Sequence, residues 1–357
     1  MAASAAQVRA SRTVAREAPL TELDLESRPR AIVVCGMGGS GISGDVLAAV
    51  LGMSCPIPVS VHRGYSLPGW VGAADLVMAV SCSGTTAETL SGALEATRRG
   101  ARVLGVGTPD SPLEAQCGQS SFIGVGTELS PRSSMWALAV PLLVVASRLG
   151  LLDLGGDDGA LEAAALALES TASLCGPDRE SFVNPAKTLA AELAGSLPMV
   201  WGSGQVGPVA ALRAVSQLAE NAKLPAMVGA LPEAHHNQVV ALDGQLAGGS
   251  ADDDLFRDRV DDEAPVRLRL VVVRDDAGDV TAARRADVSA EIAAGRGVGV
   301  SVLAAQGDAA VERLASLVGL LDFATVYLGL AQGIDPTPIA PIDELKRALQ
   351  SSTYPLG

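Results

Sequence analysis

Aromatic residues are scarce, at 3% of a 357-residue chain that is 48% hydrophobic. A core with few rings must be built from Ala, Val and Leu, as in parallel sheets buried on both faces. There is no basic excess either. Lys and Arg number 26 against 40 Asp and Glu, a formal net charge of −14. That removes the electrostatic drive toward nucleic acid or an anionic membrane, so any anionic substrate must be held by local donors. The five cysteines, Cys35, Cys55, Cys82, Cys117 and Cys175, form no CxxC and no Cys/His cluster. They are read as small buried side chains in a reducing cytoplasm, and no metal site is expected. The longest apolar stretch read from the sequence, Met135 to Ala146, is too short to span a bilayer and contains Pro141. The first 25 residues lack an apolar h-region and read as a frayed leader or short helix.

What is present alternates between strand and helix. Strand signals fall at Ala31–Cys35, Pro58–His62, Asp75–Val80, Arg102–Val106 and Ser121–Val125. Helical patterns cover Ser43–Leu51, Thr86–Arg99 and about Ser133–Leu149. This order predicts a doubly wound, mostly parallel α/β domain over residues 26–150. A turn-rich "LDLGGDDG" and an Ala/Leu helix over Leu161–Leu174 make a linker spanning 151–183. A second domain is expected over 184–335, because "LPMVWGSGQVGPVAALRAVSQLAE" repeats the strand, glycine loop and helix of the opening. Val266–Val273 and Gly297–Ala304 supply further strands, and residues 336–357 a closing helix. The acidic run at 250–264 reads as a solvated excursion.

Two loops carry the chemistry. "VVCGMGGSGISGD" satisfies G-x-G-x-x-G at Gly36, Gly38 and Gly41. The strand that follows ends in "VSVHRGY", without the acidic residue a dinucleotide ribose needs. Arg63 keeps an NADP reading open, whereas a triphosphate loop would need Gly-Lys-Ser/Thr, which the chain lacks. The third strand ends in "SCSGTTAETL", placing the hydroxyls of Ser81, Ser83, Thr85 and Thr86 at a helix start. Hydroxyls and unpaired N–H groups at a helix N-terminus cradle an anion, and this set suits a phosphate monoester.

"SCSGTTAETL" resembles the phosphate loop of sugar isomerase (SIS) domains. "GMGGSGISGD", "SPRSSMWAL", "ENAKLPAMVGALPEAHHNQ" and "GIDPTPIAPIDELKRAL" resemble the bifunctional phosphoglucose/phosphomannose isomerase family, in family order over residues 31–350. The resemblance implies two SIS-type α/β domains and an aldose–ketose isomerase that needs no cofactor or metal. It would interconvert glucose 6-phosphate or mannose 6-phosphate with fructose 6-phosphate through an enediolate. By resemblance Glu220 is the base, His236 opens the sugar ring from a neighbouring subunit of a homodimer, Arg132 faces the enediolate oxygen and Lys346 lies near the sugar hydroxyls. Gly38, Gly39 and Ser40 would line the sugar, while Ser81, Ser83 and Thr86 would hold its phosphate. Three departures stand out. Cys82 and Thr85 replace the family Tyr and Asn, "GGSGISGD" replaces "GGSAIGGD", and Gln238 replaces a Glu that could orient the histidine. A sugar-phosphate sensor without turnover is the alternative that Gln238 raises.

Overall fold

The computed structural model describes residues 1–21, 23–126, 130–247 and 266–351. The acidic run at 250–264 lies outside them. The helices are α1 (Ser4–Glu17), α2 (Gly38–Leu51), α3 (Ala87–Arg98), α4 (Pro112–Cys117), α5 (Met135–Arg148), α6 (Gly159–Cys175), α7 (Pro185–Leu193), α8 (Gly207–Asn221), α9 (Val280–Gly295), α10 (Ala310–Ala331) and α11 (Ala340–Ser351). The strands are β1 (Ile32–Cys35), β2 (Val59–His62), β3 (Leu76–Ser81), β4 (Arg102–Gly107), β5 (Phe122–Gly124), β6 (Ser196–Ser203), β7 (Met227–Ala230), β8 (Arg267–Arg274) and β9 (Gly299–Ala304).

They form two sheets, ordered β2-β1-β3-β4-β5 and β7-β6-β8-β9, and every pairing is parallel. Parallel strands covered on both faces need unbroken apolar runs, and β1 and β3 are buried at every position. The main core joins the two halves. Val34 and Met78 of the first sheet belong to the same buried cluster as Val200 and Val271 of the second, with α5, α6, α8 and α10 contributing to it.

Residues 1–25, read as a frayed leader or short helix, hold the packed helix α1, with Val8 and Ala15 buried. Arg9 reaches Glu162 at 2.7 Å and also pairs with Glu169, which ties α1 to α6. Two expectations change. Among the described residues the longest apolar helix is α10, long enough to cross a membrane by length and composition. It packs against α6, α7 and α8, and its Arg313 and Asp322 are buried in ion pairs with Asp275 and Arg213. Cys35, Cys82 and Cys175 are buried as expected, whereas Cys55 and Cys117 are only partly covered.

Candidate active site

In a doubly wound sheet, a crevice opens at the carboxyl ends of the strands where their order reverses. In the first sheet that place lies between β1 and β3. The loops leaving these two strands are the ones the sequence singles out. Helix α2 begins at Gly38, earlier than the Ser43 expected, so Gly38, Gly39 and Ser40 are its first turn. A Cβ on Gly39 would sit 2.8 Å from the Pro131 carbonyl oxygen, so a glycine lets this turn lie against the turn that carries Arg132. Ser40 is buried, and its Oγ accepts a hydrogen bond from the Cys82 backbone N–H at 3.2 Å, joining the two loops.

The second loop gathers its hydroxyls in pairs. Ser81 Oγ and Thr86 Oγ1 lie 2.9 Å apart, as do Ser83 Oγ and Thr85 Oγ1. Thr108, at the end of β4, donates its hydroxyl to the Cys82 carbonyl at 2.5 Å and backs the loop. Thr86 is the N-cap of α3, but no side chain caps this helix. The first-turn N–H groups of a helix attract an anion unless something internal satisfies them.

The second sheet offers the contrast. Its order reverses between β6 and β8, and there the chain supplies its own carboxylates. Asp279 caps α9 by accepting from the N–H groups of Thr281 and Ala282 at 2.9 and 2.8 Å. Asp275 accepts from Val206 N–H at 3.1 Å, at the start of α8, and from Arg313 Nε at 2.8 Å. The two halves share a strand plan, but the helix after β3 starts beside paired hydroxyls with no side-chain cap, whereas the helix after β8 is capped by an aspartate.

Arg132 and Glu220 come together although they arise from different halves. Arg132 Nη1 donates to the Glu220 carbonyl oxygen at 3.2 Å, and Nη2 to the Thr337 carbonyl oxygen at 2.7 Å. The Arg132 carbonyl accepts from Arg213 of α8 at 2.9 Å, and the adjacent Ser133 carbonyl accepts from Gln7 of α1 at 2.8 Å. Arg213 is itself fixed by a buried ion pair with Asp322 at 2.7 Å, and Gln217 donates to the same carboxylate at 3.3 Å. Helix α8 therefore grips the Arg132 turn near its middle and again near its C-terminal end, where Glu220 is the penultimate residue. Glu220 is half-buried, and among the described residues its carboxylate makes no hydrogen bond or ion pair.

The two adjacent histidines behave differently. His235 Nε2 lies 2.7 Å from Ser289 Oγ, and its ring meets Trp201 edge-on at 6.0 Å. Burial pushes the His235 imidazole below its ordinary pKa, with the charges of Arg285 and His236 adding to the effect. His236 is exposed on the outer surface of the same turn. Within the described chain no hydrogen bond or ion pair joins it to Arg132 or Glu220. Gln238 does not orient it. The Gln238 side chain turns inward, accepting from Trp201 Nε1 at 2.7 Å and donating to the Val228 carbonyl at 2.9 Å. Lys346 is exposed on helix α11, and among the described residues no hydrogen bond or ion pair joins it to Arg132 or Glu220. Arg63, which kept the dinucleotide reading open, pairs with Asp45 of α2.

Residues passed over in the sequence, namely Gln7, Thr108, Arg213, Gln217 and Asp322, hold the candidate groups in place. Arg213 and Asp322 had a visible signal: each is a charge inside an apolar helical stripe, which requires a partner.

Comparison with known proteins agrees with the two-domain α/β fold. Residues 27–128 match the SIS domain model, and residues 182–349 match the model of the bacterial phospho-glucose isomerase C-terminal SIS domain. A bifunctional phosphoglucose/phosphomannose isomerase of Caldicellulosiruptor bescii is 30% identical over 323 residues, covering 89% of each chain. One from Aquifex aeolicus is 29% identical over 323 residues, covering 90% of this chain and 91% of its own. The crystal structure of a hypothetical protein from Thermus thermophilus superposes with a TM-score of 0.68 at 17% identity, covering 98% of this chain and 90% of that one, and shares the fold. The chain belongs to the bifunctional phosphoglucose/phosphomannose isomerase family.

Proposed function

We propose that this protein is an aldose–ketose isomerase that interconverts glucose 6-phosphate or mannose 6-phosphate with fructose 6-phosphate. The observation that carries the reading is the junction of Arg132 with the Glu220 end of α8, beside the Ser40 turn and the open hydroxyl loop. The phosphate sits on Ser81, Ser83 and Thr86 and on the N–H groups of α3, so remote binding energy orients the reacting carbons. Gly38, Gly39 and Ser40 line the sugar.

Glu220 takes the proton from C2 of the open-chain aldose. The electron pair moves into the C1–C2 bond and the carbonyl oxygen becomes the enediolate oxygen. Arg132 faces that oxygen, because a guanidinium stabilises an oxyanion without giving up a proton. Return of the proton to C1, with transfer of the O2 hydroxyl proton to O1, gives the ketose. Ring opening falls to His236 of the partner subunit in a homodimer, consistent with its exposure on the single chain. Lys346 reaches the sugar hydroxyls from α11. None of these roles calls for a metal or a redox cofactor.

Proton NMR of the purified protein with fructose 6-phosphate in D₂O tests this reading. Deuterium should enter C1 of the ketose and C2 of the aldose formed, and Glu220→Gln should abolish both while saturable binding persists. Binding without exchange in the wild type would refute the isomerase assignment and leave a sugar-phosphate sensor.

A further inference from the structure

Lys223 lies three residues beyond Glu220, just after α8 ends, and its backbone has φ +54°. A lysine held in the left-handed region is unusual, and here the conformation turns its side chain back along the helix. The ammonium donates to the Glu220 carbonyl at 2.6 Å and to the Pro338 carbonyl at 2.8 Å, with the Pro336 carbonyl at 3.5 Å. Arg132 makes the matching pair of bonds, to the Glu220 and Thr337 carbonyls. Two cations thus converge on one peptide oxygen at the C-terminal end of α8, where backbone carbonyls lack helical partners. The same two cations hold consecutive carbonyls of the segment that leads into α11, the helix carrying Lys346. Asp335 completes the grouping. Its carboxylate sits below the ordinary range because it accepts from the Thr337 backbone N–H, with the charges of Lys223 and Arg132 contributing less.

We propose that Lys223 is a positioning residue that clamps the Glu220 peptide to the segment Pro336–Pro338. This rests on the isomerase reading given above for its catalytic consequence. Lys223 touches no reacting atom. It fixes the carbonyl of the base's own peptide unit and anchors the root of α11, so one side chain couples Glu220 to the segment that leads to Lys346. A proton abstraction tolerates little error in the position of its base, and misplacement by about 1 Å can lower the rate about a hundredfold.

Three variants separate the clamp from simple loss of structure. Lys223→Met removes the ammonium and keeps the aliphatic stem. Lys223→Gly removes it while accepting the backbone conformation without strain. Lys223→Arg keeps a cation and its donors. Met and Gly should each lower kcat about tenfold or more with KM within about twofold, and Arg should recover most of the loss. Hydrogen exchange read by mass spectrometry on peptides covering 333–340 should quicken in Met and Gly but not in Arg, with exchange in β3 and β6 unchanged. If the wild type turns over and the Met and Gly variants keep its kcat, the positioning role is wrong. If the wild type itself shows no turnover, the isomerase reading fails, and the 333–340 peptides still decide the clamp. Unchanged exchange there in both variants overturns it.

Discussion

By the resemblance given above, Gln238 takes the place of a glutamate, so Gln238→Glu would restore that residue, and the structure says it should do harm. The amide is used at both ends, its oxygen by Trp201 Nε1 and its nitrogen by the Val228 carbonyl. Trp201 is fully buried. A carboxylate keeps the first bond but turns the second into two facing acceptors, which costs about 1–3 kcal/mol beyond the lost bond itself. The two strands joined here, β6 and β7, carry the turn that presents His236, so some of this penalty should also appear as reduced turnover. Protonation would cure the conflict, since a carboxylic acid can donate to Val228. The introduced carboxyl should therefore have its folded-state pKa raised, by about 1.5 units for a penalty of about 2 kcal/mol. A raised pKa means that the variant matches the wild type below the unfolded carboxyl value of about 4.3 and loses ground as pH rises through the folded value near about 6. Urea unfolding of wild type and variant between about pH 4.5 and 8 measures this directly, with the gap expected to open across that window. A variant equal to the wild type at the alkaline end, or a gap independent of pH, would show that Gln238 does not bridge Trp201 and Val228.

His235 should make stability depend on pH in the opposite sense. Its imidazole is pushed below its ordinary value of 6.5, chiefly by burial, so its contribution is complete above that value and is lost as pH falls through the folded one. His235→Gln should flatten that part of the stability–pH curve, and an unchanged slope would assign the dependence to another group. Burial pushes the thiols of Cys35 and Cys117 up to about 12, so iodoacetamide at about pH 8 should leave both unmodified until the protein is unfolded. Mass spectrometry showing native-state alkylation of either would contradict the packing around them.

Much of the scaffold is legible from residue patterns alone. The apolar runs around Val33, Met78 and Leu104 announce strands buried on both faces, and they lie where expected. The first turn of α2 is missed because "GMGGSG" has low helical propensity. Tertiary contact overrides propensity there, since a residue without a side chain at position 39 lets that turn meet Pro131. Helix α1 is legible only as one of two alternatives, for a related reason. Its buried face is Ala5, Val8, Ser11 and Ala15, too small and too polar to announce a stripe, and its partners on α5 and α6 lie more than a hundred residues away. The inward turn of Gln238 has no sequence signal, because only the placement of Trp201 and Val228 gives the amide two partners at once.

The two halves share a strand plan but differ at the helix starts beside their glycine loops. Each has a strand, a glycine loop and a helix, and in each the strand order reverses beside that loop. The outcome turns on the residues after the next strand, "SCSGTT" after β3 against Asp275 to Asp279 after β8. Hydroxyls leave the start of α3 open to an anion, whereas Asp279 closes α9 and Asp275 occupies the start of α8. That difference can be read from the sequence, because an aspartate at an N-cap excludes by its own charge the ligand a serine would help to bind. What the second half gives instead is α8, whose Arg213 and Glu220 hold the Arg132 turn that the first half supplies. This division of labour depends on contacts across 81 and 88 residues of sequence, and no local pattern encodes it. On the reading proposed above, the first half keeps an open helix start for the phosphate and the second supplies α8 as the platform for Glu220. The Arg132–Glu220 contact belongs to the junction between the halves, and neither half contains it alone.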